Sequence, residues 1–200
     1  MTSLLKNSRA FKPDFLDEVK QVYTLIDDAK EALLDQLNDQ DKSKAKIDCR
    51  KGCYYCCGKV VKPTMPELYI IFEHITDKYS RTELGHIMQR LHAHGEQCNQ
   101  ATSVSERTQV YCAFLQDDLC AIHTVKPLSC RGYTSNDVEK CKASVFEPMT
   151  DIPTSICHYS PYDIARKSIM KSMYITGFTD VTEELNSGIL RLLEEEVNGK

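Results

Sequence analysis

Apolar residues recur at helical spacing near the start of the chain. Phe15, Val19, Val22, Ile26, Ala29, Leu33 and Leu37 stand three or four positions apart, with Asp, Glu and Lys filling the other face. This period predicts an amphipathic helix over 14–46, with Asp14 behind Pro13 as its cap. The stripe fits a core face or a dimer seam alike. After a cysteine-dense stretch, Thr64-Met65-Pro66-Glu67 has the form of a capping box ahead of Leu68, Ile71, Phe72 and Ile75. Ser80-Arg81-Thr82-Glu83 repeats the device before Leu84, Ile87, Met88 and Leu91, so helices are predicted over 65–78 and 81–100.

The pattern then changes. Residues 101–109 are polar and read as a loop. Val110–Leu115 and Leu119–Thr124 flank Gln116-Asp117-Asp118 and read as two short strands around a turn. Residues 131–159 carry scattered Pro, Ser and Asp without a clear period. Helix is predicted again from Ser160-Pro161-Tyr162-Asp163, with Ser as cap and Pro at the first helical position, and Gly177 closes it. Val181–Val197 reads as a last acidic helix. No repeat, low-complexity tract or linker divides the 200 residues, which fit one domain: a helix over 14–46, a cysteine-rich core over 49–141 and helices over 160–197.

Composition changes this picture only at the cysteines. Hydrophobic residues at 42% and charged residues at 27% are ordinary for a globular chain, and a net charge of −4 gives no reason to expect nucleic acid. The only tight basic cluster, Lys42–Lys51, reads as a solvated helix end. The opening MTSLLKNSRAF lacks the apolar region of an export signal, and runs such as Leu68–Phe72 are too short to cross a bilayer. A soluble cytoplasmic protein is the expectation. Ten cysteines in a reducing compartment point to metal binding or redox chemistry rather than to disulfides.

The densest segment is Cys49-Arg50-Lys51-Gly52-Cys53-Tyr54-Tyr55-Cys56-Cys57, four thiols in nine residues. Thiolates two or three residues apart reach one metal when a tight turn points them inward, and Gly52 and Gly58 give the backbone freedom for it. Arg50, Lys51 and nearby N–H groups would favour the thiolate form. A second set follows: Cys112, Cys120 near His123, Cys130 behind the stiff Lys126-Pro127 pair, and Cys141. The predicted hairpin would bring Cys112 near Cys120, and Arg131 would offset thiolate charge or hold a carboxylate. Spacing singles out Cys53, Cys56, Cys57, Cys120 and Cys130. Cys98, four residues after His94, and Cys157-His158 lie apart from this pattern, and His74, His86 and His92 read as ordinary helix-surface residues.

The pattern CxxxCxxCC, then an apolar helix with an early Glu, then C-x-F-L…C-x-I-x…K-P-x-x-C-R-G-Y-x-S…C, resembles the zinc- or iron-chelating cysteine-cluster family often labelled YkgJ-like. The resemblance runs from Cys49 to Cys141 and spares every cysteine, while Ala113, His123 and Lys126 stand where that family usually has Pro, Tyr and Arg. It implies a metal site that also includes Cys49, Cys112 and Cys141. About activity it implies little, because such proteins are known mainly as chelators, with one branch resembling flagellin lysine methylases. Cys49-x3-Cys53-Tyr54-Tyr55-Cys56 also fits the radical S-adenosylmethionine motif. That class needs a β/α barrel with strands alternating with helices, and the periodicity here is largely helical.

The expected architecture is therefore mainly α, with helices around an irregular cysteine-rich metal-binding centre and at most a short β-hairpin. The expected metal ligands are Cys49, Cys53, Cys56, Cys57, Cys112, Cys120, Cys130 and Cys141. An iron–sulfur cluster is preferred, because eight thiols exceed one zinc tetrahedron, and zinc is the alternative. The expected partner is the metal or cluster, with neither nucleic acid nor membrane. An enzyme using the centre, a metal or cluster carrier, and a structural zinc protein are the three roles left open.

Overall fold

The computed structural model describes residues 13–179 and 181–199. The opening stretch read above for an export signal lies outside them. Among the described residues the fold is mainly helical, with one two-stranded antiparallel hairpin. The long helices are α1 (Pro13–Asp35), α3 (Met65–Lys78), α4 (Arg81–Gln100), α8 (Ile156–Ile175) and α9 (Leu185–Asn198). Short helices α2 (Asp39–Ala45), α5 (Val104–Thr108), α6 (Leu128–Gly132) and α7 (Val138–Phe146) carry the connections. No helix among the described residues is long and apolar enough to cross a membrane.

Helix α3 is the centre of the packing. It is apolar almost all round, as a helix covered on several sides must be, and Leu68, Ile70, Ile71 and Ile75 are all fully buried. Helix α1 lies on one side through Leu16, Val19 and Tyr23, and α9 on another through Ile189, Leu192 and Leu193. Helix α8 packs on α1 and on α6, and α4 packs on α9. The capping carboxylates predicted from sequence are in place. Glu67 accepts the Thr64 N–H at 2.7 Å, and Glu83 accepts the Ser80 N–H at 2.8 Å.

Several boundaries differ from expectation. The first helix is two, because Asn38 breaks it and caps α2 by accepting the Asp41 N–H at 3.0 Å. Asp14 sits in the first turn of α1 rather than ahead of it. Of the predicted stripe Val19 is buried and Phe15, Val22 and Ile26 pack half-buried on the core, Leu16 and Tyr23 join them as buried residues, and Ala29 and Leu33 are exposed. Helix α8 begins after Ser155 instead of Ser160, so Pro161 lies inside it. Residues 181–184 are extended, because Val181 and Val61 carbonyls accept the Met65 and Leu185 N–H groups at 2.9 Å each. Helix α9 starts only after that seam, capped by Glu184.

The hairpin is shorter than predicted: Leu115–Gln116 pairs with Leu119–Cys120, in register Leu115 to Cys120. Asp117 and Asp118 take φ of 48° and 61°, the double left-handed turn that matches strand twist. Residues expected to be irregular instead form α5, α6 and α7. Each is too short to leave a periodic signature in sequence.

Candidate metal centre

The first cysteine segment is a chain of turns. Asp48 N–H bonds Ser135 O at 2.9 Å, which lays Cys49 beside the residues before α7, and Ser135 N–H donates to Cys49 Sγ at 3.4 Å. A turn closed by Cys53 N to Arg50 O at 3.0 Å needs a left-handed residue, and Gly52 supplies it with φ of 84°. A single 3-10 turn, Tyr55–Gly58, then carries Cys56 and Cys57. Gly58 is required for another reason: a Cβ there would lie 2.0 Å from the Thr108 carbonyl oxygen. Thr108 hydroxyl in turn bonds Val145 O at 2.6 Å, so α5, α7 and the cysteine turn form one stack.

The second segment is bonded onto the first. Cys112 N–H donates to Cys57 O at 2.9 Å, and the hairpin then delivers Cys120. Helix α6 carries Cys130 and α7 carries Cys141, the latter buried and the other seven expected ligands half-buried. The position of α6 is set by Glu67, a fully buried carboxylate that accepts the Leu128 N–H at 2.7 Å and the Tyr23 hydroxyl at 3.4 Å.

Hydrogen bonds lay the two segments side by side, and the fields of several of their thiols bear on one another. Burial, then Cys49 and Cys56, pushes the Cys53 thiol up, and burial pushes Cys141 up beside Cys49, Cys53 and Cys56. Cys56 is pushed far up by its hydrogen bond to Cys57 and by burial. Burial raises Cys112 to about 12, with Cys130 and Cys120 adding to it. It raises Cys130 to about 12, with Cys56 and Cys120 adding to it. Cys120 is raised by burial and by Cys56. These fields link Cys49, Cys53, Cys56 and Cys141 on one side and Cys56, Cys112, Cys120 and Cys130 on the other, seven thiols in all, and the eighth, Cys57, is hydrogen-bonded to Cys56. Cys56 belongs to both.

All ten cysteines are free. Among the described residues, no three His, Cys, Asp or Glu side chains are gathered tightly enough to hold a metal ion as they stand. The donors are sulfur, the chemistry that soft metals such as zinc and iron–sulfur clusters take, and two buried hydroxyls near them in sequence, Ser129 Oγ and Thr134 Oγ1, lack a hydrogen-bond partner.

Other sequence-picked residues fall as follows. Arg131 holds a carboxylate, binding Asp27 at 2.9 Å and stacking on the Tyr23 ring at 4.7 Å. Lys126 is the cation whose field favours the Cys56, Cys120 and Cys130 thiolates. Tyr54 contacts Tyr55 and Tyr111, with ring centroids 5.1 and 5.4 Å apart, and Tyr111 feels Cys57. His123 faces Lys126 at 3.5 Å. His158 meets Ala45 O at 3.0 Å, in a groove of about 670 Å³ that no cysteine lines.

One residue had no local signal. Buried Asn186, in the first turn of α9, accepts from Ala113 N–H at 3.0 Å and from the Cys112 thiol at 3.4 Å. Its side chain comes from 74 positions further along the chain, and nothing near either residue in sequence announces the pairing. Comparison of the chain with known protein families, with curated proteins and with solved structures finds no match.

Proposed function

We propose that this chain binds metal through the clustered thiols of Cys49, Cys53, Cys56, Cys57, Cys112, Cys120, Cys130 and Cys141. The centre is an iron–sulfur cluster in first place and zinc in second. The observation that carries this reading is the convergence of two cysteine segments, from either side of α3 and α4, into overlapping groups of unpaired thiols. Burial keeps these thiols protonated, so a metal that binds them displaces their protons and its affinity rises with pH. Two four-thiol groups sharing Cys56 suit either one cluster with surplus thiols or two adjacent metals.

Coordination requires these side chains to rotate inward, since among the described residues no three of them are gathered tightly enough as they stand. Their partial exposure favours a centre that solvent and a partner molecule reach, and thus an enzyme or a carrier over a sealed structural site. The radical S-adenosylmethionine alternative draws little support from a fold whose described strands are two residues each. The resemblance to the cysteine-cluster chelators is part of the same proposal, carried by the quoted residues.

The test is metal analysis and visible absorption of protein purified without oxygen. Brown protein with iron and acid-labile sulfide is expected, and colourless protein with stoichiometric zinc would select the second choice. Native protein with no metal and three or more disulfides would sink both.

A further inference from the structure

Helix α6, Leu128–Gly132, is little more than one turn and has scant stability of its own, so contacts from outside set its orientation. Glu67 takes its first N–H, and Arg131, next to Cys130, ties down the rest. The Arg131 Nε donates to the Lys126 carbonyl at 3.0 Å and Nη2 to the Thr124 carbonyl at 2.6 Å. Both carbonyls lie in the stretch that joins Cys120 to Cys130. Nη1 donates to Asp27 Oδ2 on α1 at 2.9 Å, and the guanidinium sits over the Tyr23 ring of the same helix. Asp27 is fixed in turn by α8, since its Oδ1 accepts the Tyr162 hydroxyl at 2.5 Å. Helix α6 also runs close to that tyrosine: a Cβ on Gly132 would lie 3.0 Å from the Tyr162 Cβ. One guanidinium, its side chain only 12% exposed, thus ties the 124–126 turn and α6 to α1 and, through Asp27, to α8.

We propose that Arg131 and Asp27 are positioning residues for the thiol centre, a clasp that keeps Cys120 and Cys130 in the relative placement a shared metal needs. The clasp acts by shape, not by charge. The Arg131 fork is occupied by two carbonyls and a carboxylate, and the cation whose field reaches Cys56, Cys120 and Cys130 is Lys126. Lysine cannot replace a planar fork that meets three acceptors in three directions, because its donors all sit on one nitrogen. Successive residues of an α-helix project about 100° apart, so holding the Arg131 side chain fixes the direction in which Cys130 leaves the turn. The role of the clasp rests on the metal reading above, whereas its bonds stand whether or not metal is bound.

The experiment compares the full chain with Arg131→Lys, Arg131→Met, Asp27→Asn and, as a control in the core of α9, Leu192→Ala. Metal per chain is measured first. Each protein is then alkylated with iodoacetamide, as purified and after chelation, and mass spectrometry follows the rate at every cysteine. A clasp predicts that Arg131→Lys, Arg131→Met and Asp27→Asn all lower metal occupancy. All three should also raise alkylation of Cys120 and Cys130 severalfold while leaving Cys49 and Cys141 at the parent's rates. Leu192→Ala should instead move these four cysteines by similar factors, because it acts through global opening. If Arg131→Lys kept the parent's metal and rates while Arg131→Met lost both, Arg131 would act by charge and the clasp would be wrong. Rates rising together at all eight thiols in the Arg131 and Asp27 variants would overturn it too, since the pair would then be general stabilisers. A parent without metal would sink the central reading alone, and the alkylation pattern would still decide whether the clasp exists.

Discussion

Single side chains differ sharply in what their loss would do. A true ligand leaves behind an open coordination position and neighbouring thiolates without their cation. Serine at Cys56 or Cys130 should therefore abolish most metal binding. The field of Cys56 bears on thiols of both segments, and Cys130 lies in the fields of Cys56 and Cys120. Serine at Cys98 or Cys157 should leave the central metal intact, because neither thiol joins either group. Metal per chain across single serine variants at all ten positions is the measurement. Dispensable Cys56, Cys57 and Cys130 alongside an essential Cys98 would show the two-segment centre to be wrong.

Between helices, one carboxylate does several tasks. Glu67 caps α3, anchors the segment ahead of Cys130 through Leu128, and bonds Tyr23 on α1. Removing it strands buried donors from three elements. Each buried unpaired group costs about 1–3 kcal/mol, so Glu67→Ala should lose roughly 3 kcal/mol or more. Glu67→Gln should also destabilise, since one of its atoms would present N–H groups to donors. Urea unfolding midpoints give the comparison, and a Glu67→Ala variant within experimental error of the parent would remove Glu67 from this role. Because Glu67 positions α6, metal affinity should fall in the same variants.

Across the molecule, a centre joining residues 49–57 to residues 112–141 would cross-link parts of the chain that already meet through hydrogen bonds such as Cys112 to Cys57 and Ser135 to Cys49. Binding to the folded state alone appears as stability. Chelation should lower the melting temperature substantially and raise amide exchange in residues 49–58 and 112–141 before it does so in α3 and α9. The latter keep their packing around Leu68, Ile71, Ile189 and Leu192. An unchanged melting curve after verified metal removal would show that the centre is not integral to the fold.

Local pattern was enough for much of this. Capping chemistry and period placed α3 and α4 at their observed bounds, and cysteine spacing marked the segment 49–57, which the fold lays beside Cys112 and Ser135. These signals are legible because they depend on neighbours within one or two turns. Where α1 stops being buried, why α8 starts five residues early and why α9 starts four residues late are different matters. They follow from which surfaces the helices cover and from the seam between residues 61–65 and 181–185. The partners of the thiols are likewise long-range: Ser135 for Cys49, Asn186 for Cys112, and Lys126 rather than Arg131 as the nearby cation. His94 and Cys98 share a helical face in sequence, but the burial of the imidazole arises only once α9 packs on α4. Periodicity reports which face of a helix is apolar. It carries no information about which distant element will cover that face, and the covering element sets burial, charge and ligand geometry.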